Sequence, residues 1–173
     1  MINVYICKIC GDAYIADKAP PRCPFCGAYP EYLVVLKDNL PNFDVELNAK
    51  DKANAEYALE VEVSNTIFYK CAGKMSDSLE GQKIFKYLKK VEEEHAAVWK
   101  KILKVDKVDF PDYDKCAVET KANLQESHER EERAINFYKK AAAEAENPRV
   151  KEIFTAFVEV ETDHLAVSTN RLK

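Results

Sequence analysis

Glycine is scarce in this chain, four among 173 residues, and two of the four directly follow cysteine pairs. The sequence after Leu36 is correspondingly poor in breakers and rich in charged and alanine residues, a composition that favours long helices. No apolar run approaches the roughly 20 residues that cross a bilayer, which excludes a membrane-spanning helix. No charged-then-apolar signal segment opens the chain, so a soluble, cytoplasmic protein is expected. A basic excess is also missing: 26 Lys+Arg stand against 30 Asp+Glu, a formal net charge of −4. Phosphate binding needs a basic surface that releases counterions, so a nucleic-acid partner is excluded. Even the cysteine-rich N-terminal part is balanced, Lys8, Lys18 and Arg22 against Asp12, Asp17 and Glu31, which argues against a ribbon that binds DNA or RNA.

What the chain does hold is unevenly placed. Four of the six cysteines lie between Cys7 and Cys26, in two copies of CxxCG: Cys7-Lys-Ile-Cys10-Gly11 and Cys23-Pro-Phe-Cys26-Gly27. Two cysteines three apart can hold one ion from a tight turn, and the following glycine tolerates the positive φ that closes it and aims backbone N–H groups at the sulfurs. Two such knuckles make a tetrahedral sulfur cage suited to zinc or iron. The spacing leaves open a structural zinc ribbon or a one-electron iron centre. In a reducing compartment CxxC pairs are metal ligands or redox groups more often than disulfides. Cys71 and Cys116 then read as free, buried packing thiols. The expected organisation is a metal module over residues 1–36, a linker over 37–48 and a larger domain over 49–173.

The larger domain repeats itself chemically. Glu62, Tyr69, Phe85, Glu92 and His95 recur 69 residues later as Glu131, Tyr138, Phe154, Glu161 and His164, every spacing kept. Four amphipathic helices are expected, roughly Ala49 to Ala72, from the Ser76-Asp77-Ser78 caps to Lys104, Lys115 to Ala145, and from Asn147-Pro148 to the C-terminal end. Glu92 and His95, three apart, project from one helix face and can reach one ion, as can Glu161 and His164. Glu62 and Glu131 fall on the apolar faces of the first and third helices, where an unpaired carboxylate is costly to bury. A lone ExxH is usually a solvated Glu beside a satisfied His. Two copies with equal 33-residue gaps back to a Glu and 26-residue gaps back to a Tyr are poorly explained by chance. One Glu from each of two helices plus Glu-x-x-His from each of the other two is the ligand inventory of di-metal carboxylate bundles. Tyr69 and Tyr138, two turns after Glu62 and Glu131, are placed to hydrogen-bond ligand carboxylates across the bundle. Glu60, Glu93, Glu94, Glu126, Glu129 and Glu132 read as solvated faces.

Both modules together resemble the rubrerythrin family with its domain order reversed. The resemblance rests on the two CxxCG knuckles, Val4 to Val34 as a short rubredoxin-like domain, and Glu62, Glu92-x-x-His95, Glu131 and Glu161-x-x-His164. It implies a mainly α fold, a ferritin-like four-helix bundle behind a small rubredoxin-like domain. It also implies a non-haem di-iron peroxidase that reduces hydrogen peroxide, or dioxygen, to water in oxidative-stress defence. One iron would sit in the four-cysteine site and two in the carboxylate site, with zinc or manganese as possible substitutes. Electrons would come from a rubredoxin or an NAD(P)H-dependent reductase. The chain departs from the family on the third helix: the position of a second Glu, three residues after Glu131, is Ala134. His128, or Glu126 with Glu129 in a slipped register, are the candidates for an extra ligand. The competing readings are a ferroxidase or iron-handling protein and a zinc-stabilised binding module.

A partner copy is also expected. Asp106 to Asp114 spans at most about 30 Å extended, whereas a 25-residue helix is roughly 37 Å long. A homodimer, with or without exchange of helix pairs, is predicted, with the four-cysteine site of one subunit serving the di-iron site of the other.

Overall fold

The structure is a computed structural model that describes residues 1–37, 40–112 and 115–173; Asp38 and Asn39 of the expected linker, and Asp114 at the end of the expected connection, lie outside them. Three short strands open the chain: β1 (Asn3–Cys7), β2 (Ala13–Ala16) and β3 (Leu33–Val35), in the antiparallel order β2-β1-β3. Val4 pairs with Ile15 and Ile6 with Val34, and the rings of Tyr5 and Tyr14 stack across the first pair at 5.5 Å. So small a sheet cannot support a core of its own. Cys7 and Leu33 of the sheet, with Ile9 and Ala28 of its turns, instead join one continuous cluster with Trp99, Phe154 and Phe157 of the helices.

Four helices follow: α1 (Ala49–Met75), α2 (Leu79–Leu103), α3 (Thr120–Glu144) and α4 (Pro148–Leu172). Their starts are fixed by side-chain caps. Asn48 accepts from the Asp51 N–H, Ser78 from Gly81, and Asn147 from both Arg149 and Val150, with Pro148 in the first turn where no donor is needed. The α2 helix stops where Lys104 turns left-handed, at φ 56°.

Two boundaries differ from the sequence expectation. The α1 helix runs through Gly73, because that glycine is required by packing and not by a turn: a Cβ there would meet the backbone N of Lys86 at 3.1 Å. The α3 helix starts at Thr120 instead of Lys115, because residues 116–119 are held as a cap. Asn123 accepts from the Ala117 N–H and donates to its carbonyl, Asp77 N–H donates to Val118, and Asp77 Oδ1 accepts from Thr120 N. The connection from Leu103 to Thr120 therefore exceeds about 50 Å when extended, more than the length of α2.

A second correction concerns the remaining cysteines. Cys71 on α1 and Cys116 in the connection are joined as a disulfide, not held as free thiols, with Cα atoms 5.9 Å apart. Spacing along the sequence carried no sign of it, since 45 residues separate them.

Candidate metal centres

The first centre is built by backbone turns. Cys7 ends β1, and Gly11 and Gly27 adopt φ of +84° and +76°, the left-handed conformations expected after each pair. Their N–H groups are used differently from the expectation: Gly11 donates to the carbonyl of Cys7 and Gly27 to that of Cys23, closing the turns. All four cysteines are buried, with Cys7 and Cys26 sulfurs 3.7 Å apart and those of Cys10 and Cys23 3.8 Å apart. The contact between Cys10 and Cys23 lowers the Cys23 thiol and raises that of Cys10. Four sulfur donors converge on one point, the donor set for zinc or iron.

The module is fastened to the bundle it precedes. Arg22 pairs with Asp163 at 2.8 Å, Tyr29 donates to the same carboxylate, and Lys101 donates to the carbonyl of Cys10 at 2.7 Å. Gly27 lies against Val160, where a Cβ would come within 2.9 Å of Cγ1.

The second centre is built by tertiary packing. Glu62, Glu92, His95, Glu131 and Glu161 are at most 1% exposed and His164 is 5% exposed, deep between the four helices of one chain. Their ligand atoms form two overlapping groups: Glu62, Glu92, His95 and Glu161, and Glu92, Glu131, Glu161 and His164. Glu92 and Glu161 belong to both. Glu161 puts Oε1 3.0 Å from His95 Nδ1 and Oε2 2.8 Å from His164 Nδ1. Glu92 lies 3.6 Å from His95 Nδ1 and, with its other oxygen, 3.1 Å from His164 Nδ1. Each of these carboxylates faces both halves of the site, the disposition of a bridge. Glu62 and Glu131 each face one half.

The outer oxygens of those two are held by the tyrosines. Tyr69 of α1 donates to Glu131 of α3 and shares a 2.9 Å contact with Ser127, while Tyr138 of α3 donates to Glu62 of α1. Burial first, and the neighbouring carboxylate second, push both phenols well above their ordinary range, so they stay protonated and donate.

Six atoms aimed into this space, Glu62 Oε2, both oxygens of Glu92, Glu131 Oε2, Glu161 Oε1 and His95 Nδ1, make no aligned hydrogen bond. Burying so many acceptors unpartnered costs several kcal/mol, so the donor set fits a pair of cations in that space. Burial, then Glu92, drives Glu62 up, and burial, then Glu161, drives Glu131 up. Burial alone would lower His95 and His164, but the surrounding carboxylates more than offset it and hold both well above the imidazole range. Four carboxylates and two imidazoles thus crowd one cavity that only protons or metal ions can neutralise.

His95 does one thing His164 does not. Its Nε2 lies 2.9 Å from the carbonyl of Cys26, which accepts its hydrogen, so one imidazole spans the two centres. Sequence reasoning missed this bond; nothing in either motif encodes how the modules dock.

The candidate extra ligands stay outside. His128 is absent from both groups: its Nδ1 meets Ser168 at 3.2 Å and Thr169 at 3.4 Å, and its Nε2 lies 3.7 Å from Glu132. One helical turn before Glu131, it points along α4 and not into the cavity. Glu129 is exposed and Glu126 pairs with Arg130 at 2.8 Å, while Ala134 is buried. Glu60 and Glu132 are exposed as expected, but Glu94 is half-buried, and burial and Asp12 raise its pKa.

Among the described residues, no helix is long and apolar enough to cross a membrane. Searches of curated proteins and of solved structures return no match. The rubrerythrin family model does match, over residues 54–170, a span that begins before Glu62 and ends after His164. With that span covering well over half of the chain, and a four-cysteine cluster that fits a rubredoxin-like domain placed ahead of it, the protein belongs to the rubrerythrin family.

Proposed function

We propose that this protein is a non-haem di-iron peroxidase that reduces hydrogen peroxide to water, fed with electrons through an iron held by Cys7, Cys10, Cys23 and Cys26. The observation that carries the reading is His95, whose Nδ1 faces Glu62, Glu92 and Glu161 while its Nε2 donates to the carbonyl of Cys26. An iron-handling protein would have no use for a thiolate centre wired to its carboxylate site.

Glu62 and His95 would hold one iron, Glu131 and His164 the other, and Glu92 and Glu161 would bridge them. When bound, the pair supplies the two electrons that cleaving the peroxide O–O bond requires. The chain's own groups do the rest. Tyr138 and Tyr69 fix Glu62 and Glu131 in orientation and keep a proton on each phenol oxygen beside a carboxylate, where it can be passed inward. Trp99, Phe154 and Phe157 close the side towards the sulfur cage, with the Phe157 ring stacked on His95 at 4.1 Å. The Cys26-to-His95 contact offers a short route for single electrons within one subunit. A separate rubredoxin or an NAD(P)H-dependent reductase would be their source.

The test is peroxide-dependent NADH oxidation with a suitable reductase. In Glu92→Ala, consumption should vanish while the absorption of the cysteine-bound iron persists. Retained turnover would refute the site assignment.

A further inference from the structure

We propose that the open cavity between α1 and α3 is the substrate mouth of the carboxylate site, and that it admits small alkyl hydroperoxides as well as hydrogen peroxide. The inference rests on the peroxidase reading and widens its substrate class. The cavity holds about 340 Å³, the size of a small-ligand site. Its place follows from the repeat. Val61, Ser64 and Asn65 of α1 line it, and so do Arg130, Arg133 and Ala134 of α3, their counterparts 69 residues on. A space bounded by paired positions lies between the two half-sites. Asn65 and Ala134 are its most buried residues, 3% and 2% exposed, and each follows a ligand candidate, Glu62 or Glu131, by one helical turn on the same face.

Asn65 is the informative residue. Its Oδ1 accepts from Arg130 at 3.4 Å, while its Nδ2 is buried and without a hydrogen-bond partner among the described residues. A buried donor left in that condition is costly unless something in the cavity accepts from it. A peroxide oxygen does so. Tyr57 and Phe137, edge to face at 4.7 Å, and Val61 supply apolar wall against which an alkyl group can pack. Charge favours a neutral guest: Arg130 and Arg133 both lie against Glu126, at 2.8 and 3.7 Å, and Glu60 on the facing helix completes the balance. Hydroperoxides are uncharged at neutral pH.

The balance is that of hydrogen peroxide with one hydrogen replaced by an alkyl group. R–O–O–H takes up two electrons and two protons, the O–O bond breaks, and the alcohol R–O–H leaves with one water. The electrons are those of the proposed donor, an NAD(P)H-dependent reductase, delivered through the four-cysteine iron. Asn65 holds the hydroperoxide from the cavity side, with the alkyl group directed outward.

The experiment uses the full, iron-loaded chain with its reductase and compares hydrogen peroxide with tert-butyl hydroperoxide. Both should be consumed, the second to tert-butanol. Ser64 is exposed at the rim, where it accepts from Arg130 at 3.1 Å, so Ser64→Phe narrows the entrance without touching the core. It should lower kcat/KM by roughly tenfold for tert-butyl hydroperoxide and by about twofold for hydrogen peroxide. Asn65→Ala should raise KM for both by about tenfold while kcat stays within about twofold. A readout independent of turnover is saturation transfer from the zinc-loaded protein to the methyl protons of added tert-butanol, expected for the unaltered chain and lost in Ser64→Phe. Three results would overturn the proposal and leave the peroxidase reading standing: hydrogen peroxide consumed but tert-butyl hydroperoxide not, the two peroxides slowed equally or not at all by Ser64→Phe, or an Asn65→Ala variant that loses kcat alone. Failure to consume either peroxide would overturn both.

Discussion

The two metal centres solve the same problem, gathering donors that repel one another, by opposite means. The sulfur cage takes its ligands from Cys7 to Cys26, positioned by two left-handed glycines on a sheet with almost no core of its own. The carboxylate site takes its ligands from Glu62 to His164, one or two from each helix, positioned by packing. A local site depends on its metal for order, whereas a distributed site depends on the fold and merely waits for the metal. Each prediction below is a way to break that contrast or to measure it.

The largest effect should come from the local site. Stripping the cage, or Cys7→Ser, should remove about 10 kcal/mol of ordering free energy from residues 1–36. Limited proteolysis would then cut that segment while far-ultraviolet circular dichroism shows the helices intact. Protease resistance of a metal-free module would end the distinction. Next comes the tie between distant parts of the bundle: Cys116→Ser opens a 45-residue loop and, under oxidising conditions, should cost about 4 kcal/mol in thermal unfolding. The cage should not notice.

Gly27 joins the two halves, and Gly27→Ala tests how tightly. A side chain there is strained by the positive φ and drives its Cβ into Val160, together about 3 kcal/mol. Under the proposed function, the expected signature is slower electron transfer from the cage to the carboxylate site, measured by stopped flow, with both metal contents unchanged. The smallest effects belong to the tyrosines. Tyr138→Phe and Tyr69→Phe each leave a buried carboxylate oxygen unpartnered, about 2 kcal/mol, and should weaken metal binding by roughly 10- to 100-fold. The two sit in mirrored places except that Tyr69 also contacts Ser127, and calorimetric titration of metal into each variant would expose the resulting inequality.

The same contrast explains what could be read from the sequence. Glu62, Glu92, His95, Glu131, Glu161 and His164 were legible because a duplicated pattern betrays a distributed site, even though the members are far apart. Tyr69 and Tyr138 followed from the helical period. The cage was legible from its spacing, and the glycine conformations from chemistry. What escaped was whatever depends on one segment docking on another. Gly73 looked like a stop but is a contact with α2, and the start of α3 is set by Asn123 and Asp77 reaching across a loop. Disulfide pairing over 45 residues and the bond from His95 to Cys26 are likewise properties of the folded surface, invisible to any local rule. His128 misled for the complementary reason: periodicity places a residue on a helix but leaves open which neighbour it greets.

One asymmetry reaches further. The protein scaffold around the two cation positions is almost a perfect mirror, with matching carboxylates, imidazoles and phenols. Only His95 is tied down from outside, by the peptide carbonyl of Cys26, while His164 keeps a sliver of exposure. Chemically identical seats thereby become distinguishable: one adjoins the four-cysteine cage and the other the outside world. Spectroscopy of the loaded protein should accordingly resolve two unlike ions from a template that treats them as twins.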